Sequence, residues 1–153
     1  MAIWRLITHH LYPEQMLETY RNNSCIAMGW GQIGDLRRLR PADWVTIRDA
    51  IKGIGNYKNL RGAVGAGPGG RCLWGFYTEM RSEDLVILSV GNGPLRDVVK
   101  VAGDYEWREP PIDGDDYNHC RHVEWTNYDG KELWHRHAIA GGWNKRWTLI
   151  QLV

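Results

Sequence analysis

The residues best suited to chemistry in this chain gather around one tryptophan. Trp30 lies between Gly29 and Gly31, with Gly34 close behind. Glycines on either side remove neighbouring Cβ atoms and permit unusual backbone angles, so an indole face is left open to a flat partner. Gln32 and Asp35 are the nearest side chains able to hydrogen-bond the edge of such a partner. Tryptophan is also a common core residue, and Asp35 equally suits a turn. Arg37, Arg38 and Arg40 follow directly and are either a solvated face or contacts for phosphate oxygens. Lys58, Arg61 and Arg71 flank a glycine-rich segment and add to that set. In the carboxyl-terminal third, His119, Arg121, His122, His135, Arg136 and His137 stand with Lys145 and Arg146 as a second candidate phosphate-facing edge.

Other chemistries fit less well. The glycines between residues 62 and 70 lack a Gly-Lys-Ser/Thr ending and a preceding apolar strand, which excludes a nucleotide-binding P-loop. His119, Cys120 and His122 do not make a zinc site, because adjacent strand residues point to opposite faces. His9 and His10 have no spaced third ligand. Asp113 with Asp129 and Lys131 is a faint echo of metal-dependent nucleases, but Asp129-Gly130 reads as a turn and not as a rigid strand. The expectation is no metal, no cofactor and no catalysis.

The totals set bounds. The chain has 153 residues, enough for one domain with a true core, taken here as 1–153. Net charge is +1, so contact with a polyanion must come from local patches. Cys25, Cys72 and Cys120 are odd in number and show no paired spacing, which points to a reducing compartment. No apolar run reaches membrane-spanning length, and the amino terminus enters a strand pattern without a leader. A cytoplasmic protein with no membrane partner is expected. Nine tryptophans against one phenylalanine suggest that some indoles serve as stacking surfaces.

These residues need elements to hold them. Ile3–Ile7 and Cys25–Met28 read as buried strands. Pro13 opens a helix with Met16, Leu17 and Tyr20 on its apolar face, and Pro41 opens a second with Trp44, Ile47 and Ile51 inward. Residues 55–71 read as loop, followed by a third helix through Cys72, Leu73, Phe76, Tyr77 and Met80. Strands follow over 85–90, 98–107 and around Val123 and Trp125; a short helix spans 133–140 and a last strand 147–153. Short strands behind three helices predict an α+β fold, a small, strongly curved sheet or barrel with helices packed outside.

Four segments, in order and separation, resemble the EVE domain family: Ile26-Ala-Met-Gly-Trp-Gly-Gln-Ile-Gly-Asp35, Glu83-Asp-Leu-Val-Ile-Leu, Gly103-Asp-Tyr-Glu-Trp107, and Tyr117-Asn-His-Cys-Arg-His-Val-Glu-Trp125. That family is a PUA-like branch close to YTH domains, and the resemblance covers nearly the whole chain. It implies a β-barrel of about six strands and a pocket that takes one modified nucleobase between aromatic side chains. Carried over residue by residue, the pocket would comprise Gly29, Trp30, Gln32, Asp35, Tyr105, Trp107 and Tyr117, with the basic residues above on the nucleic-acid backbone. Strand-end alternation leaves Trp107 and Trp125 open between core and pocket. The implied partner is nucleic acid carrying a modified, typically methylated, base. DNA is favoured over RNA, because such domains act as readers for nuclease or NTPase domains or subunits in modification-dependent restriction. A reader of modified RNA, or a small-molecule binder with the same cage, are the alternatives.

Overall fold

Ile3–Ile7 (β1) is buried along its whole length and lies between two neighbours, as a continuous apolar run would. It pairs in parallel with Leu85–Ser89 (β3) and antiparallel with Leu149–Gln151 (β6). Leu95–Trp107 (β4) pairs antiparallel with β3 and with His119–Trp125 (β5), and β5 pairs with Cys25–Met28 (β2). The computed structural model describes residues 1–59, 65–90, 95–137 and 147–153. Arg61, Lys145, Arg146 and the turn expected at 91–94 lie outside them.

The result is an α+β fold on one six-stranded mixed sheet, ordered β2-β5-β4-β3-β1-β6. The expected closed barrel is not formed. Among the described residues β2 and β6 stand at opposite edges, and the three-residue β6 is laddered to β1 alone. β4, thirteen residues long, shifts register against β5 between Val101 and Tyr105. Such an irregularity bends a strand and increases its twist. Gly103 lies at this point, where a Cβ would come within 3.1 Å of the His122 Cβ.

The helices cover the sheet. Pro13–Asn23 (α1) buries Met16, Leu17 and Tyr20 as the spacing predicts. The buried Tyr20 hydroxyl sits 3.0 Å from the Thr8 carbonyl and 2.9 Å from that of Ala27, linking α1 to the ends of β1 and β2. Leu36–Leu39 (α2) is a single turn that no periodicity announces. Trp44–Lys52 (α3) begins three residues later than Pro41 suggests, with the Asp43 carboxylate accepting from the N–H groups of Val45 and Thr46. Such a cap satisfies donors that the first turn leaves open. Ala66–Trp74 (α4) starts inside the stretch read as loop. Glycine in a helix costs about 1 kcal/mol, and this helix holds three, Gly67, Gly69 and Gly70; packing offsets the cost at the last two. A Cβ at Gly70 would stand 2.9 Å from the Arg48 nitrogen and from the Trp44 carbonyl oxygen, so the missing side chain is what lets α4 lie on α3.

α4 runs on into a π-helical turn, Gly75–Glu79. Its end is held by Arg121, whose guanidinium is buried and donates to the carbonyls of Phe76, Met80 and Gly103. One side chain thus ties the helix terminus to the register shift in β4. Gly130–His137 (α5) closes the set, with the Asp129 carboxylate capping its first turn.

Candidate functional site

β2 ends at Met28, and the chain turns through Gly29-Trp30-Gly31 into a 3₁₀ turn, Gly31–Ile33. Trp30 takes the left-handed conformation, φ 67°, which is costly for a non-glycine residue and must be held by its surroundings. The segment 116–118 does the holding. Gly31 N–H donates to the Asp116 carbonyl (2.9 Å), and the Asp116 carboxylate accepts from Trp30 N–H (3.4 Å) and the Gln32 amide (3.2 Å). The flanking glycines are steric requirements. A Cβ at Gly29 would meet the Tyr117 ring at 3.0 Å, and one at Gly31 would lie 2.0 Å from Asn118 Oδ1. The indole of Trp30 turns inward: it is 6% exposed and packs on α4, with Nε1 2.8 Å from the Cβ position of Gly69.

Beneath this loop lies a buried hydrogen-bond chain centred on His119. The Trp30 carbonyl can only accept, so His119 Nε2 carries the proton and donates to it at 3.1 Å. Nδ1 is then an acceptor, taking the Tyr105 hydroxyl proton at 2.7 Å, and the Tyr105 oxygen accepts from Leu36 N–H at 3.1 Å. Burial pulls the imidazole down to about 4 and pushes the Tyr105 phenol well above its ordinary value. Both groups stay neutral, and together they fix the Trp30 loop and the start of α2 to β4 and β5.

Above this chain opens a cavity of about 480 Å³. Ile33, Gly34, Asp35, Arg38 and Leu39 form one side; Trp107 and Glu109 form the other. Trp107 stands edge-on to the His119 ring at 5.3 Å and donates its indole N–H to Glu109 Oε1 (2.8 Å), which holds the ring in place. Asp35 caps α2 through Arg37 N–H and pairs with the Arg37 guanidinium at 2.9 Å. Partial burial raises the Asp35 carboxyl; hydrogen bonds from Arg37 and the charges of Arg37 and Arg38 outweigh this and hold it below the usual carboxylate range. The cavity therefore offers an aromatic ring, two acidic side chains and a guanidinium.

Of the residues assigned to the pocket by sequence, Asp35 and Trp107 line this cavity. Tyr105 lies behind it in the His119 chain. Gly29, Trp30 and Tyr117 build the supporting loop, and Tyr117 stacks on His9 at 4.7 Å. Gln32 is exposed and bonded to Asp116. Glu109, Ile33 and Leu39 were not singled out by sequence, and a glutamate two residues past a strand end gives no signal of its own. His119 and Arg121, read as part of a basic edge, are instead buried and hydrogen-bonded, because their strand faces the core there.

The cations are sorted. Arg21, Arg48, Arg96, Lys100, Arg108 and Arg136 each have a carboxylate partner, as does Arg37. Arg38, Arg40, Lys52, Lys58 and Arg71 form no ion pair among the described residues; Arg81 and Lys131 share that condition elsewhere, as does the buried Arg121, whose N–H groups go to backbone carbonyls. The unneutralised charge thus falls mainly on α2, α3, α4 and the turn between them, in the chain segment that follows the cavity loop. A second cavity, also about 480 Å³, is lined by Lys100, Glu124, Trp125 and Tyr128. Its lysine stands between Glu83 and Glu124, at 3.6 and 3.5 Å, so it does not attract a polyanion.

The acidic loop is also accounted for. Asp113 Oδ1 accepts from the N–H groups of residues 115, 116 and 117, and Oδ2 lies 3.4 Å from His9 Nε2. It shapes the loop that carries Asp116. Among the described residues no helix is long and apolar enough to cross a membrane. A sequence-family profile described as "Domain of unknown function (DUF8426)" matches residues 4–148. No curated protein matches the chain.

Proposed function

We propose a function from the geometry of this chain, which belongs to the DUF8426 family: it is a non-catalytic reader that takes one modified nucleobase into the cavity beside Trp107. The observation that carries the reading is convergence. The segment Ile33 to Leu39, which follows directly on the Gly-Trp-Gly loop, and the strand end at Trp107, far apart in sequence, border one cavity within the size range of small-ligand sites. Trp107 supplies a stacking face worth about 1–3 kcal/mol per base. Asp35 and Glu109 accept hydrogen bonds from amino groups on the base edge, and a methyl group on that edge packs against Ile33 and Leu39. Flipping a base out of a duplex costs a few kcal/mol, which stacking and the unneutralised cations offset.

The fold is read as an opened PUA-like barrel of the EVE kind. Support comes from six strands, the long β4 with its shifted register and the helices packed on the sheet. DNA is the favoured polymer, with cleavage left to a nuclease or NTPase domain or subunit. The non-catalytic reading is supported at His119, both of whose ring nitrogens are spent inside the fold. The three buried thiols, without disulfides, suit a cytoplasmic setting.

The test is a fluorescence-anisotropy titration. One short oligonucleotide is offered as DNA and RNA, single and double stranded, plain and with each common methylated base. Tight binding of one modified form is expected, and Trp107→Ala should weaken it about 10-fold or more and erase the preference. Equal affinity for plain and modified forms would overturn the reading. Preference for a modified RNA would keep the pocket and change the polymer.

A further inference from the structure

Trp44, half-buried at the start of α3, carries two guanidinium groups over its ring. Arg71 stands 4.0 Å from the ring centroid and Arg48 5.3 Å. Their charges differ in effect. Arg48 shares the Asp49 carboxylate at 3.0 Å and is offset, whereas Arg71 has no acidic partner among the described residues. At 4.0 Å the guanidinium carbon of Arg71 lies over the indole at stacking distance, and the side chain itself is exposed.

The position of this stack is set by the same glycines that dock α4. A Cβ at Gly70 would clash with the backbone of Trp44 and Arg48, and one at Gly69 would clash with the Trp30 indole. Arg71 is the next residue. The stack is therefore fixed at one remove from the loop that borders the cavity. α3, which carries Trp44, also packs on the Gly31–Ile33 turn.

We infer that Arg71, held over the ring of Trp44, is a phosphodiester-binding group that receives the strand flanking the base in the cavity. The inference rests on the proposed nucleic-acid reading and assigns to Trp44 a role that burial alone does not explain. A stacked guanidinium meets two phosphate oxygens with a parallel pair of N–H bonds and loses little side-chain entropy on binding. Lysine, a point charge on a flexible stem, cannot adopt that arrangement.

The test uses an unmodified single strand of about 12 nucleotides, so it is independent of base recognition. Affinity is measured against salt for the full chain and for Arg71→Ala, Arg71→Lys and Trp44→Leu, with thermal melts to confirm folding. Both Arg71 variants should weaken binding about 10-fold. Arg71→Ala should reduce the salt slope by about 0.7, the single-strand value for one phosphate contact, and Arg71→Lys should leave the slope in place. Trp44→Leu should weaken binding about 3–5-fold with charge unchanged. The ratio of modified to plain affinity should stay constant in all three. Arg71→Lys at full affinity would overturn the stacked role. An unchanged slope in Arg71→Ala, or no binding of the plain strand by the unaltered chain, would overturn the phosphate contact. Failure of the base-reading proposal shows elsewhere, as a modified-to-plain ratio near one in the unaltered chain.

Discussion

Gly31→Ala is expected to destabilise the fold by more than about 3 kcal/mol, from a clash with backbone and two disrupted hydrogen bonds. The added Cβ would stand 2.0 Å from Asn118 Oδ1 and 2.5 Å from the Asp116 carbonyl oxygen. Neither can move aside cheaply. The Asn118 amide donates to the Arg108 carbonyl at 2.8 Å, and the Asp116 carbonyl accepts from both Gly31 and Asn118 N–H groups. Relief requires the Trp30 loop to lift from the 116–118 segment, which also withdraws Ile33 and Asp35 from the cavity. Gly34→Ala is the internal comparison: its φ of 81° is strained for alanine, but nothing lies within 4 Å of the new carbon. That variant should cost about 1–3 kcal/mol, because φ 81° with ψ −176° is a backbone region almost confined to glycine. Urea unfolding followed by circular dichroism decides the matter. Equal midpoints for the two variants would show that the loop yields, and that the Gly31 contact does not anchor it.

The second large effect is an acid transition centred on His119. An imidazole in the unfolded chain takes its proton near pH 6.5, whereas the buried one does so only near 4. Between these values the unfolded chain binds more protons, so acidification favours it. The stabilising contribution is complete above about pH 6.5 and is lost as pH falls toward 4, in total about 3 kcal/mol. His10, also lowered by burial and by its neighbours His9 and Arg5, acts in the same direction. Asp35 and Asp97 are held below the usual carboxylate range, so their contribution is lost only at more acidic pH. His119→Gln should be less stable at neutral pH and flatter between pH 6.5 and 4. Unfolding free energies of both proteins at several pH values, with an NMR titration of the His119 Cε1 proton, measure this. A His119 midpoint above 6 would remove the mechanism.

Where residues spoke through periodicity, the sequence was legible. α1 follows from Pro13 with Met16, Leu17 and Tyr20, and β1 and β2 follow from two short apolar runs. The order of elements and the position of Trp107 at a strand end beside the Gly-Trp-Gly loop were within reach. What escaped was decided by contacts between distant segments. Gly69 and Gly70 read as loop because isolated helices disfavour glycine, yet they are helical where α4 must approach Trp30 and α3. Trp30 marks the site through its backbone while its ring serves the core. His119 alternates onto an inward face, and its partners Tyr105, Leu36 and Trp30 come from three other places in the chain. Among the described residues the sheet is open, with β2 and β6 at its two edges and no ladder between them.

The placement of β1 has a consequence for synthesis. Its neighbours in the sheet are residues 85–89 and 149–151, so the first strand made is the last to be flanked on both sides. At ordinary translation rates that interval is on the order of ten seconds. Throughout it, an apolar strand with unpaired N–H and C=O groups remains a template for other nascent chains. Removing β6 should therefore show itself in living cells as aggregation during translation, before any loss of binding by the finished protein is felt.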